Sequence, residues 1–344
     1  KSRTAFIPLK DSYDSIFFHL CSKRGLMKLL VTGGAGFIGS HLVERLVELG
    51  HDVVVIDNLL RGNKIPLEVL SKITFIHGDV RDQTLVEHWV KDIDVIFHFA
   101  ARGSVPRSIK NPVATHNVNV TGTLNVLEIA RESGAHVVFS SSSSVYGRNM
   151  QLPKDESMWL GPMTPYAASK LAAEGYVQAY ASAYNVPTTL LRFFNVFGPR
   201  QRPDHEYAAV LPKWIWLAMQ GKPIDVYGDG TASRDFTYVE TVLDVAIASM
   251  KDKITTDGAV NLAFGNRISL NDAIRLLTKY FPDLQVNYKE IRPGDIKESQ
   301  NSPELLKKIF PLVIPKSFEE ALVETINWLK DYGQSVANGP KTLN

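Results

Sequence analysis

The chain has 344 residues, 44% of them apolar, and a formal net charge of +2, which describes an ordinary globular protein with ample core and room for one large domain or two smaller ones. No run of Lys and Arg interleaved with aromatics suggests a nucleic-acid groove, and no apolar stretch approaches the roughly 20 residues of a membrane span. The single cysteine, Cys21, excludes an intrachain disulfide and fits a reducing compartment, so the expected location is the cytoplasm.

Lys1 to Leu26 fit the rest poorly: Ser15-Ile-Phe-Phe-His-Leu-Cys21 is too short for a secretory core, and the segment reads as a leader or an N-terminal arm. From Met27 an apolar strand, Lys28 to Thr32, leads through Gly33-Gly-Ala-Gly36-Phe-Ile-Gly39 into an amphipathic helix over Ser40 to Leu49. Gly33 permits the tight strand-to-helix turn, Gly36 lets backbone approach a pyrophosphate, Gly39 allows close helix–strand packing, and the helix start offers free N–H donors. The next strand, Asp52 to Asp57, ends in a carboxylate where an adenosine ribose is bound in such turns, about 20 residues on. A carboxylate there repels a 2′-phosphate, so the expected cofactor is NAD rather than NADP.

Further apolar runs follow at Ile73–Ile76, Asp94–Phe99, His136–Ser140, Thr188–Phe194 and Ala259–Ala263, separated by amphipathic segments. Strands of almost unbroken apolar sequence alternating with helices predict a doubly wound parallel α/β sheet of Rossmann type. The expected division is a dinucleotide-binding domain over 27–197, to which the strand near 259–264 returns, a smaller discontinuous α/β cap from 198–258 and 265–330, and a tail over 331–344. The texture changes near Gly198, where Gly-Pro-Arg-Gln-Arg-Pro-Asp204 begins the cap that would close over the carboxyl ends of the strands.

Within the sheet domain, Thr164-Pro165 reads as N-cap and first position of a helix that carries Tyr166 and Lys170 one turn apart on one face. A Lys ammonium near the phenol, with the positive charge of an oxidised nicotinamide, would lower the Tyr pKa from about 10 toward neutrality and make Tyr166 a general base. The strand ending at Ser140 runs into Ser141 to Ser144 at the carboxyl edge of the sheet, and Ser142 is the candidate to hydrogen-bond the reacting oxygen. No metal-ligand set is expected.

With these motifs in place, the chain from Met27 to about Lys330 resembles an extended short-chain dehydrogenase/reductase, and within that superfamily a UDP-hexose 4-epimerase. The resemblance implies a catalytic set of Ser142, Tyr166 and Lys170. It implies NAD contacts from Gly33, Gly36, Phe37, Ile38, Gly39, Asp57 and Asn58, from the adenine-contacting turn Asp79-Val80, from Phe99, Ala100 and Ala101, and from the structural and relay asparagine Asn119. For the UDP-sugar it implies Asn195 at the end of Arg192-Phe-Phe-Asn195, and Arg234, Arg292 and Asp295 as a clamp on diphosphate and ribose, a task suited to planar guanidinium groups. Gly103, Ser104, Gln201, Ala209 and Val210 resemble the group that accepts N-acetylhexosamines, with Ser143 beside Ser142.

The rivals within the superfamily are nucleotide-sugar dehydratases and decarboxylases, whose equivalents of Ser142-Ser-Ser144 carry acidic residues. Elimination needs such an acid and base and epimerisation does not. The expected activity is therefore NAD-dependent 4-epimerisation of UDP-hexoses through a 4-keto sugar, with UDP-glucuronate epimerisation or another nucleotide-sugar modification as the alternative, and a non-catalytic NAD-binding scaffold behind it. Ser299 aligns with a family position that is a bulky Tyr in enzymes restricted to UDP-glucose and UDP-galactose, so UDP-GlcNAc and UDP-GalNAc are expected substrates beside the plain hexoses. The resemblance also implies a homodimer through the helices near Asn117–Ser133 and Tyr166–Tyr184.

Overall fold

Val53-Val-Val-Ile56 and Val137-Val-Phe139 are buried throughout, a pattern that a sheet covered on both faces satisfies. In the computed structural model, which describes residues 25–84, 92–204, 208–291 and 298–337, seven strands form that sheet: β1 (Lys28–Thr32), β2 (Asp52–Asp57), β3 (Thr74–His77), β4 (Val95–His98), β5 (His136–Ser142), β6 (Thr188–Phe193) and β7 (Ala259–Leu262). Their spatial order is β7-β6-β5-β4-β1-β2-β3. Every neighbouring pair is parallel, with Leu30 facing Val54 on one side and Ile96 on the other. The order reverses between β1 and β4, which opens a crevice beyond their carboxyl ends, the place where such sheets hold ligands.

The longer helices are α1 (Phe37–Glu48), α2 (Gly122–Ser133), α3 (Pro165–Tyr184), α4 (Val210–Met219), α5 (Val239–Lys251), α6 (Leu270–Thr278) and α7 (Phe318–Ala337). One face of the sheet is covered by α1 and α5, which contribute Leu42, Val43 and Leu46 and Val242, Val245 and Met250 to a common core with Leu29, Val31 and Val55. Each such side chain, once buried, stabilises the fold by about 1.5–3 kcal/mol. The opposite face packs Val126, Leu127 and Ala130 of α2 and Ala173 and Val177 of α3 against Leu30, Ile96 and Phe139. Helix α5, inside the stretch 198–258, thus lies on the main sheet.

The predicted start of α3 is present as read: Thr164 Oγ1 accepts from Ala167 N at 3.2 Å and Pro165 is the first helical residue. Helix α1 begins at Phe37, three residues before the sequence-based start, because nothing after Gly36 interrupts helical backbone. The helix expected over Asn117–Ser133 opens instead with a π-turn, Asn117–Thr121, before α2.

A second core, with Trp214 and Ile215 of α4, Ile274 and Leu277 of α6 and Leu322 and Ile326 of α7, forms the smaller layer. Phe37 and Ile38, in the first turn of α1, pack against it, so this layer meets the glycine turn. Among the described residues no helix is long and apolar enough to cross a membrane. Most of the proposed leader over 1–26 and the end of the tail lie outside the described residues.

Candidate active site

The glycine turn is built to leave space. Gly33 has φ +72°, and a Cβ there would sit 2.7 Å from Ala100 N, so the loop after β4 closes directly on the turn. A Cβ on Gly39 would meet Gly33 O at 2.3 Å, whereas one on Gly36 would meet only Gly33 O, at 3.1 Å. Above Gly36 the backbone is therefore open to a ligand, and α1 starts there with neither a side-chain cap nor an acidic residue in its first turn. Uncapped N–H groups at a helix start favour an anion.

Asp57, at the end of β2, accepts from Ala35 N at 3.0 Å and from Leu59 N at 2.8 Å. Burial raises its pKa and these donors pull it back. Each carboxylate oxygen retains a lone pair for a ribose hydroxyl. Asn58 Nδ2 donates to Asp79 Oδ2 at 2.8 Å, and Val80 is buried with its carbonyl accepting from Asn125 Nδ2 at 2.9 Å. The half-buried Phe99 and Ala100 and the exposed Ala101 complete the rim. Open backbone over Gly36, an uncapped helix start and a carboxylate at the neighbouring strand end together fit a dinucleotide.

The reacting end lies where β5 stops. Ser142 Oγ accepts from Ser144 N at 3.2 Å, which leaves its single proton to donate, and it hydrogen-bonds the Tyr166 phenol. Lys170, 4% exposed, donates from Nζ to the Ser140 carbonyl at 2.7 Å. Burial lowers its pKa to about 8, against the pull of the Glu174 carboxylate. Sequence reasoning expects Tyr166 to be acidified, but in the protein itself its pKa is raised, because burial outweighs the Ser142 hydrogen bond. Any lowering must come from positive charge near the phenol.

Asn119, on the π-turn, is 2% exposed. It accepts from Arg102 N at 2.7 Å and donates to Ser169 Oγ at 2.9 Å, and Ser169 in turn donates to the Tyr166 carbonyl at 2.7 Å. The extra residue of the π-turn thus coincides with the side chain that ties the β4 loop to α3. Beneath it, buried His98 bridges Thr32 Oγ1 at 2.7 Å and Thr123 Oγ1 at 3.0 Å, with burial lowering its pKa to about 3, so it is neutral.

On the substrate side, Asn195 adopts φ +36°, a left-handed backbone that Asn tolerates better than most residues, and donates to the Asp235 carbonyl at 3.1 Å. Gln201 Nε2 donates to Val196 O at 3.1 Å, while its Oε1 is buried without a partner among the described residues. Arg234 lies in a short strand whose neighbour, Ser233, accepts from Ser299 N at 3.1 Å. Ser299 and Ser143 thus come to line one cavity of about 290 Å³ with Tyr146, Phe194, Lys154 and Glu298. A side chain on Gly103 would enter open space. Ser104 caps the helical turn Val105–Lys110, and Ala209 and Val210 open α4. Arg292 and Asp295 lie outside the described residues.

Sequence reasoning missed the supports. Glu174 and Arg192 form a buried bidentate ion pair, with Nε to Oε1 at 3.0 Å and Nη2 to Oε2 at 2.8 Å, and Ser141 Oγ donates to the same carboxylate. The spacing Tyr166, Lys170, Glu174 is regular and was readable as one helix face. Asp235 offered no such signal: fully buried, it accepts from Gly265 N, Asn266 N and Asn301 N at 3.0, 3.1 and 2.9 Å, donors distant in sequence.

Comparison with known proteins agrees with this geometry. The profile of the NAD dependent epimerase/dehydratase family matches residues 29–263. A putative UDP-glucose 4-epimerase of Methanocaldococcus jannaschii is 35% identical, covering 88% of this chain and 98% of its own length. A UDP-N-acetyl-alpha-D-glucosaminuronate decarboxylase of Bacillus cytotoxicus is 33% identical over the same shares. Among solved structures, a UDP-N-acetylglucosamine 4-epimerase from Methanobrevibacter ruminantium M1, in complex with UDP-N-acetylmuramic acid, superposes with a TM-score of 0.85 at 36% identity, covering 90% of this chain and 100% of that one. By sequence, fold and turn geometry alike, the chain belongs to the NAD-dependent epimerase/dehydratase family of extended short-chain dehydrogenases/reductases.

Proposed function

We propose that the protein is a 4-epimerase of UDP-hexoses, interconverting UDP-GlcNAc with UDP-GalNAc and UDP-Glc with UDP-Gal through a 4-keto sugar. The observation that carries this reading is the strand end itself: after the Ser142–Tyr166 pair come Ser143 and Ser144, and the turn to Tyr146 holds no carboxyl group. A dehydratase or decarboxylase needs an acid or base at the neighbouring carbon. The nearest carboxylate on α3, Glu174, is committed to Arg192.

Bound NAD supplies reversible two-electron oxidation of the sugar carbinol. Tyr166 Oη takes the proton of the 4-hydroxyl while Ser142 Oγ holds the same oxygen, and Lys170 keeps positive charge near the developing phenolate. The proton returns from Tyr166 when the ketone is reduced on its other face. Arg234, with Arg292 and Asp295, anchors the diphosphate and ribose, so that binding energy rests on the UDP and leaves the hexose free to turn. Ser299 leaves room for a 2-acetamido group. The lone cysteine and nucleotide-sugar substrates support a cytoplasmic enzyme, and the alanine-rich outer face of α3 supports a homodimer.

The test is to incubate the purified protein, without added NAD, with UDP-GalNAc and with UDP-galactose, following the anomeric protons by NMR. Conversion of both is expected. Conversion of galactose alone would sink the assignment of Ser299. No conversion of either after NAD is supplied, with loss of carbon dioxide or water from a UDP-hexuronate or hexose instead, would replace the epimerase reading. In Ser299→Tyr, kcat/KM for UDP-GalNAc should fall by at least about tenfold relative to UDP-galactose, the scale of about 1.4 kcal/mol; an unchanged ratio removes the residue from the sugar pocket.

A further inference from the structure

Arg102 directly follows the rim Phe99-Ala100-Ala101. Its backbone N–H is fixed by Asn119 Oδ1 at 2.7 Å, but its side chain has no hydrogen bond or ion pair among the described residues, and its Nε is shut off from solvent without a partner. The arginines on the neighbouring strand end and loop are spent differently: Arg192 pairs with Glu174, Arg200 with Glu44 and Arg202 with Asp204. A guanidinium nitrogen withdrawn from water and left unpaired costs free energy. That cost is recovered when a ligand brings an oxyanion.

The location says which oxyanion. The loop carrying Arg102 touches the glycine turn across the β1/β4 crevice, since Ala100 N lies 2.7 Å from the position of a Cβ on Gly33. The uncapped start of α1 faces the same space and carries no acidic residue in its first turn. Lys64, whose backbone N–H donates to Ala35 O of the glycine turn, has its ammonium on the Arg61 carbonyl at 3.0 Å. Helix start and glycine turn supply N–H dipoles to a diphosphate, and neither supplies a full positive charge.

We propose that Arg102 is the charged clamp on the diphosphate of bound NAD, gripping it from the β4 side while the start of α1 holds it from the other. A planar guanidinium meets two phosphate oxygens through a rigid, preorganised fork that a lysine ammonium lacks. The proposal concerns cofactor retention and does not depend on which sugar is turned over.

The holoenzyme is stripped of cofactor, and the affinities for NAD, ADP-ribose, adenosine and UDP are measured by calorimetry for wild type, Arg102→Leu, Arg102→Gln and Arg102→Lys, with melting curves to establish folding. Arg102→Leu and Arg102→Gln should bind NAD and ADP-ribose at least about tenfold more weakly, with adenosine and UDP unchanged, a shallower salt dependence of NAD binding, and Arg102→Lys in between. NAD affinity within twofold of wild type in any folded neutral variant overturns the proposal. A loss confined to UDP overturns it as well, because the guanidinium would then serve the substrate's diphosphate.

Discussion

Tyr166 sits where the protein alone works against its ionisation: burial raises the phenol pKa and the single Ser142 hydrogen bond offsets only part of that. In the proposed reaction the balance is restored by positive charge, and Lys170 is the protein's share of it. Replacing Tyr166 by Phe should lower kcat by about 10²–10⁴-fold, the usual worth of a positioned acid–base group, with UDP affinity unchanged in the same preparation. Lys170 loses its charge as pH rises through about 8, so kcat should decline above that pH. Lys170→Arg, whose cation does not titrate there, should flatten that alkaline limb at a lower maximum rate. An identical limb in the variant would assign it to another group. At this scale the sequence was legible where chemistry is local, as in Gly33, Gly36 and Gly39 or the Tyr166–Lys170 turn. It was mute where a residue's partners lie far along the chain: His98 bridges Thr32 and Thr123, and no spacing rule connects those three.

Among the contacts that seat helix α3 is one buried ion pair. The Glu174–Arg192 pair, 2% and 4% exposed, fastens α3 to β6, and Arg192 Nη1 also donates to Tyr146 Oη at 2.9 Å. Removing one partner leaves an uncompensated buried charge. Glu174→Leu should therefore cost about 3–5 kcal/mol of unfolding free energy, and the double variant Glu174→Leu/Arg192→Met much less than the sum of the singles. Additive losses in denaturant titrations would show the pair to be uncoupled. Elements were readable in proportion to the regularity of their burial. The central strands of the sheet carry apolar runs such as Val53–Ile56 and Val137–Phe139, whereas the π-turn at Asn117–Thr121 has no composition that distinguishes it from α-helix. It coincides with the contacts of Asn119 to the β4 loop and α3.

Across the whole molecule, the outer face of α3 stands out as a continuous exposed stripe of small residues. Ala168, Ala172, Gly175, Tyr176, Ala179 and Ala183 lie exposed along one stripe, with Ile109 and Val113 exposed at 63% and 67% on adjoining turns. Small residues let two helices approach closely, and the homodimer proposed above would bury this stripe. Ala172→Glu/Ala179→Glu should convert a dimer to a monomer in sedimentation velocity; a species of unchanged mass would move the interface elsewhere. The smaller layer was harder to read than the sheet because its strands are two to four residues long and carry little periodicity.

The pinning of residues 299–301 has a consequence for how such a protein can change over generations. Asn301 N is held by Asp235 and Ser299 N by the Ser233 carbonyl, so the main chain bordering the proposed sugar cavity is fixed by groups that do not include the Ser299 side chain. A single codon change at 299 can therefore enlarge or shrink that cavity while its scaffold stays folded. If the proposed sugar assignment holds, selection is free to try new sugars there without first risking the fold.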